Sequence, residues 1–358
     1  MKKIILVALV FISLTSEAQD EPASPLTFSG YVETYYVYDL NQPESNVRPS
    51  FIYSYNRHNE VNLNLGFVKA TYTTDRVRAN LALMTGTYAN ANLAAEPGVF
   101  KNVLEANAGV KLSKNKNLWI DAGIFTSHIG FESAIGKDCW NLTRSMLADN
   151  TPYFEAGAKI SYTTDDGKWF LSALVLNGWQ RIHRVEGNSL PSFGTQVTYK
   201  PAGNVTLNSS SFIGTDKPDS ARQMRYFHNF YGIFQLSPKF GVTIGFDYGL
   251  EEKSPETSST NSWYSPVVIV RYAVTEKFAL AVRAEYYEDE HGVIIATGTP
   301  NGFKTTGISL NAEYAITPNV LWRAEIRNLH SEDNIFVKDN SGTTTGNTFI
   351  GTALAVNF

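Results

Sequence analysis

No run of about 18 consecutive apolar residues occurs anywhere in the chain, which excludes a membrane-spanning helix. One cysteine, Cys139, stands in 358 residues, so no disulfide can close within the chain. A basic excess is also missing. Thirty Lys and Arg face 34 Asp and Glu, for a net charge of −4, and this argues against a nucleic-acid partner. The six histidines, His58, His128, His183, His228, His291 and His330, are scattered without metal-ligand spacing, and His128 shares only a long loop with Cys139. There is no Gly-x-Ser-x-Gly and no compact Ser/His/Asp grouping, which speaks against an outer-membrane lipid hydrolase and leaves it the lesser alternative. No catalytic residue, metal ligand or cofactor is expected. Runs of strong helix formers are scarce as well.

Aromatics, by contrast, are abundant: 19 Tyr, 21 Phe and 6 Trp, or 13% of the chain. Mean hydropathy is −0.19, which suits a soluble protein and equally a transmembrane barrel, where only alternate residues meet lipid. At the start, Lys2 and Lys3 precede an apolar stretch from Ile4 to Leu14, with small residues at Ser16 and Ala18. That pattern predicts a secretory signal over residues 1–18, cut after Ala18, followed by one barrel domain over 19–358.

Alternation with period 2 dominates the rest. Val61, Leu63, Leu65 and Phe67 alternate with Asn62, Asn64 and Gly66, and Leu104, Ala106, Ala108 and Val110 with Glu105, Asn107 and Gly109. Leu280, Val282, Ala284 and Tyr286 oppose Arg283, Glu285 and Tyr287, and Trp322, Ala324 and Ile326 oppose Arg323, Glu325 and Arg327. A helix cannot keep this period, whereas a strand with one greasy and one polar face does. The pattern predicts about 16 strands over 26–38, 60–73, 76–87, 102–113, 117–126, 152–164, 168–178, 191–200, 204–214, 226–236, 240–250, 263–273, 277–288, 304–316, 319–330 and 347–358. Segments 168–178 and 226–236 show apolar residues on both faces.

Every second connection is very short, as at Thr74-Asp75, Lys114-Asn115-Lys116, Asp165-Asp166-Gly167, Ser237-Pro238-Lys239 and Thr275-Glu276. Those between are long and polar: 39–59, 88–101, 127–151, 251–262, 289–303 and 331–346. Short turns on one rim and long loops on the other predict an antiparallel up-and-down β-barrel in the outer membrane, turns in the periplasm and loops outside. The polar faces carry Glu33, Arg78, Glu105, Lys111, Asp121, Glu155, Lys159, Arg283, Glu285, Glu313, Arg323, Glu325 and Arg327, which should line a wet lumen. Tyr35, Tyr36, Trp179, Trp263, Tyr264, Tyr286 and Tyr287 near one rim, and Phe240, Phe278 and Phe358 near the other, are expected to form aromatic girdles. Along the last strand Leu354, Val356 and the terminal Phe358 share a face, resembling the signal that barrels offer to the barrel assembly machinery.

Three stretches then resemble the OmpL-like β-barrel porins of the Gram-negative outer membrane: FSGYVETYY from Phe28 to Tyr36, AGIFTSHIGFE from Ala122 to Glu132 with the loop after it, and NTPYFEAG from Asn150 to Gly157. The resemblance covers nearly the whole chain after the signal. It implies a porin that lets small hydrophilic solutes diffuse passively, names no particular solute, and supplies no catalytic residues. In general porins, the loop in the place of 127–151 folds into the lumen. The same placement is expected here, with Glu132, Lys137, Asp138 and Arg144 as constriction charges and Glu155, Lys159, Arg283, Glu285, Arg323, Glu325 and Arg327 as the lumen wall. The bland alternative keeps the loop on the outer rim, against solvent or lipopolysaccharide. For the charged strand 319–330, a solute track and a wall knitted by cross-strand ion pairs both fit. A non-conducting structural or adhesive barrel is the rival to a channel. Lipid bilayer and lipopolysaccharide are the expected surroundings, and a homotrimer is compatible by analogy with general porins.

Overall fold

The computed structural model describes residues 24–339 and 342–358. The signal expected over 1–18 lies outside the described residues. Sixteen antiparallel strands close into one barrel. In chain order they are β1 (Leu26–Asp39), β2 (Val61–Thr73), β3 (Val77–Thr85), β4 (Val103–Lys111), β5 (Asn117–Thr126), β6 (Phe154–Thr163), β7 (Trp169–Leu176), β8 (Ser192–Ala202), β9 (Val205–Gly214), β10 (Arg225–Gln235), β11 (Phe240–Ser254), β12 (Thr257–Ala273), β13 (Phe278–Asp289), β14 (Phe303–Thr317) and β15 (Val320–Ser331), followed, after a small hairpin of β16 (Phe336–Lys338) and β17 (Gly342–Thr344), by β18 (Gly346–Asn357). Each barrel strand pairs with its sequence neighbour, and β18 returns to pair with β1 from Tyr31↔Asn357 to Asp39↔Phe349. Closure leaves no sheet edge within the barrel, as a hydrocarbon surround requires.

The short turns share one chemistry. Thr74, Ser113, Thr164, Ser237 and Thr275 each open a turn, and each hydroxyl accepts a backbone N–H two to five residues on. Gly167, at φ +69°, supplies the left-handed residue that the Asp165-Asp166 turn needs.

Outward positions meet lipid with Leu81, Leu83, Ile120, Ile244, Val282, Ile308, Leu310, Ile326 and Ile350, all exposed. The aromatic girdles are partly as expected. Tyr36, Tyr264 and Tyr286 sit on the outward face near the loop rim and Phe240 and Phe358 near the turn rim, whereas Tyr35, Trp263 and Tyr287 are buried on the inward face. The reason is register, since neighbours along a strand point to opposite sides.

Two further expectations are corrected. The segment 251–262 is not a loop. β11 and β12 continue through it, paired to Ser254↔Thr257, as a polar hairpin that rises beyond its neighbours. On β2 the apolar face is split. A bulge opposite Glu33 and Thr34 takes Asn64 out of the ladder, so Val61 stays exposed while Leu65 is buried and Phe67 stacks on the inward Tyr31 ring.

The lumen itself is packed near the loop rim. Phe51 and Ile52 from loop 40–60, Ile129 and Met146 from loop 127–151, and Ile295 from loop 290–302 meet the inward Leu174, Leu176, Phe212, Phe227, Trp263, Tyr287 and Phe303. This explains the apolar residues on both faces of β7 and β10, because their inward faces there touch protein. Such packing demands small residues opposite large ones. A Cβ on the inward Gly249 of β11 would overlap the indole of Trp263 on β12. Gly249→Leu should therefore displace that indole and cost about 1–3 kcal/mol, read as a lower unfolding midpoint in detergent. An unchanged midpoint would contradict the packing.

Candidate functional site: the loop from Ser127 to Thr151

The loop between β5 and β6 is tied down first at its root. Both ring nitrogens of His128 face oxygen acceptors, Nδ1 at 2.9 Å from the Glu155 carboxylate and Nε2 at 2.8 Å from the Ser211 carbonyl. Both nitrogens therefore carry hydrogen, and the pair is an imidazolium facing a carboxylate. Burial alone would lower the His128 pKa, but the Glu155 charge and bond, with the Ser211 carbonyl, outweigh it and raise it.

Further along, the loop folds on itself. Glu132 accepts the Ser145 N–H at 3.0 Å and also its hydroxyl, while the Ser145 Oγ accepts Ala148 N–H to cap a short helix, α1 (Met146–Asp149). Arg144, fully buried, donates to the carbonyls of Ser133, Leu142 and Ala134. It organises the loop from inside rather than presenting charge to a passage. Lys137 and Asp138 pair with each other at 2.8 Å and stay largely exposed. Of the four expected constriction charges, two thus build the loop and two face open space.

The loop then meets the wall of β13–β15. Thr143 donates its N–H to Glu325 at 2.6 Å, and its carbonyl accepts from Arg283 at 2.6 Å. Met146 N–H donates to Glu285, Leu142 N–H to Asn311, and Arg327 donates to the Arg144 carbonyl. Arg323 reaches the carbonyls of Gly136 and Cys139. Beneath these bonds the wall charges pair across strands: Arg283–Glu325 at 3.1 Å, Arg327–Glu285 at 2.7 Å and Arg323–Glu313 at 2.8 Å. Arg283, Glu285, Arg323, Glu325 and Arg327 are all buried, so this stretch of wall is not bathed in water as the sequence suggests. Loop backbone has taken the place of solvent. Glu155 sits apart on β6, where it holds His128, and Lys159 is half-buried with its ammonium over the Phe125 ring.

On the opposite arc, Lys69–Glu105 and Arg78–Asp121 pair at the lumen surface with their basic partners partly exposed. A cavity of about 230 Å³ lies beside the loop root, lined by Glu105, Ser127, Glu132 and Tyr153. The contribution of loop 40–60 is what sequence reading missed. Tyr55 donates to Glu33 at 2.9 Å, and Phe51 packs edge-on against Phe303. Apolar residues inside supposedly solvated loops, such as Phe51, Leu142, Met146 and Leu147, were the available signal. At the seam, Leu354 is exposed on the outward face of β18, and Phe358 exchanges backbone hydrogen bonds with Gly30.

Asp149, at the end of α1, has its pKa pushed up to about 7, chiefly by burial. Its folded value is raised, so the unfolded chain releases the proton first, and stability is lost as pH rises from about 4 towards 7. Asp149→Asn should remove that loss. Its stability relative to the parent should rise across this window by on the order of 2–4 kcal/mol, measured by denaturant unfolding at several pH values. A difference that does not change with pH would contradict the burial of this carboxyl.

Solved outer-membrane proteins share this architecture. OmpT of Vibrio cholerae superposes with a TM-score of 0.60 at 13% identity, covering 96% of this chain and 100% of its own, and OmpT is also matched in a trimer form. The anion-selective porin of Comamonas acidovorans gives 0.59 at 9% identity over 93% of this chain and 99% of its own. OmpF of Salmonella typhi, in complex with daunomycin, gives 0.61 at 11% identity over 93% and 97%. None of the curated proteins matches the chain in sequence. The family model described as "Putative beta-barrel porin-2, OmpL-like" matches residues 25–358. The chain thus belongs to the OmpL-like β-barrel porin family and is a porin of the outer membrane.

Proposed function

We propose that loop 127–151 sets the size limit of the channel, and that small hydrophilic solutes pass by passive diffusion between this loop and the arc of β2–β6. The carrying observation is the latch of Thr143 between Arg283 and Glu325, which supports a loop held inside the barrel rather than resting on its rim. The remaining arc bears both signs, with Lys69, Arg78 and Lys159 beside Glu105 and Asp121, which favours polar solutes without strong selection by charge sign. The reading invokes no catalysis and no cofactor. We assign Leu354, Val356 and Phe358 to recognition by the barrel assembly machinery, on the strength of their shared outward face.

One observation favours a second reading, a non-conducting barrel: the apolar cluster of Phe51, Met146, Tyr287 and Phe303 fills the lumen near the loop rim. Planar-bilayer recordings of the refolded mature chain separate the two. Discrete conductance steps in the parent, enlarged severalfold when residues 130–147 are deleted, are the expected result. Equal steps in both proteins reject the constriction, and a silent parent with a conducting deletion supports the plug.

A homotrimer is our reading of the assembly. In support, outward Ala79, Ala108, Ala122 and Ala158 stand directly opposite one another across β3, β4, β5 and β6, a shallow row that another barrel can approach closely. Ala108→Trp should shift the mass of the native complex in mild detergent from three chains to one. A parent that runs as one chain would refute the trimer.

A further inference from the structure

Six loops from around the barrel, 40–60, 86–102, 127–151, 177–191, 215–224 and 290–302, each send residues to one cavity of about 400 Å³. Contributions from so many sides place it at the centre of the extracellular mouth, with Asp149 of α1 in its lining. Bonds between and within these loops brace it. Trp179 N–H donates to Asp216 at 2.9 Å, and the Gln180 side chain accepts Tyr153 N–H at 2.8 Å and donates to the Asn92 carbonyl. Glu96 accepts the N–H groups of Ile182 and His183, and Asp289 those of Val293 and Ile294. A site fixed in this way is not left for its ligand to order.

The lining keeps hydrogen-bonding capacity in reserve. Arg181 donates only its Nε to Asp216, at 3.4 Å, and its side chain is 28% exposed. Arg225 gives Nε and Nη2 to Glu251. Both Nη nitrogens of Arg181 and Nη1 of Arg225 meet no acceptor among the described residues, and none of the three is shut off from solvent. The Asp216 carboxylate, 17% exposed, has lone pairs left beside its two donors. Two guanidiniums, Arg181 and Arg225, stand against two carboxyls, Asp149 and Asp216, so the lining has no formal net charge. That balance disfavours an ion of either sign.

We infer that this cavity binds a neutral saccharide of one or two rings, its hydroxyls donating to Asp216 and accepting from Arg181 and Arg225, its C–H faces against the half-buried rings of Tyr53 and Trp179. A pyranose carries a rim of hydroxyls around an apolar face. A guanidinium beside a carboxylate offers neighbouring hydroxyls donors and acceptors at once. The volume lies within the range of about 300–1,000 Å³ that small-molecule sites occupy. This adds a substrate class to the channel proposed above. Binding in detergent is read without conduction, so the two readings fail separately.

Equilibrium dialysis of the folded mature chain, in a detergent without a sugar headgroup, tests the subsite. Labelled maltose, lactose and sucrose are the probes, with gluconate and glycine betaine as anionic and zwitterionic counterparts. Saturable binding of one molecule per chain is expected for at least one disaccharide, at least fivefold tighter than for either counterpart. Arg181→Ala should weaken that binding at least fivefold. Should that variant not fold, Ala94→Trp leaves every polar group in place and fills the cavity from an exposed loop position, with the same expected loss. No saturable disaccharide binding to the parent, a counterpart within fivefold of the best disaccharide, or a smaller loss in either folded variant would overturn the subsite.

Discussion

A guanidinium withdrawn from water needs acceptors, and Arg283 finds one for every nitrogen inside a barrel that could have been hollow. Its donors reach Glu285, Glu325, and the carbonyl and hydroxyl of Thr143. Two of those partners belong to the wall and the others to a loop more than a hundred residues earlier. These bonds hold Thr143 against the wall and keep water from it, alongside the root fixed by His128 and the carbonyls held by Arg323. Truncating either member would leave its opposite buried and unpaired, which costs far more than an exposed ion pair is worth.

The loop satisfies the wall mostly with backbone. Carbonyls of Gly136, Cys139, Thr143 and Arg144 accept from arginines, while the N–H groups of Leu142, Thr143 and Met146 donate to Asn311, Glu325 and Glu285. A loop without regular structure has unspent donors and acceptors along its length. A wall rich in charge is the surface on which they can be spent. Arg144 does the same within the loop, gathering three carbonyls with no carboxylate partner among the described residues.

Barrel strands were legible because one face of each must be greasy, and period 2 is hard to mimic. The tally of faces could not tell what the polar side meets. Arg283 alternates with Val282 and Ala284 in the same way whether water or a loop carbonyl lies opposite. Local departures were hidden for similar reasons. The displacement of Asn64 leaves no mark in composition, and the hairpin beyond Glu251 stands clear of lipid, so its strands need no apolar face. His128 looked like a stray histidine, since its partners Glu155 and Ser211 lie on other strands.

The latch also orders events in time. Thr143 meets Arg283 and Glu325 across separations of 140 and 182 residues, and those strands are among the last to be made. Contacts so distant in sequence have to wait for the intervening chain to be placed. Thr143 can therefore be latched only once β13 and β15 stand opposite it, which places this contact late in the molecule's maturation.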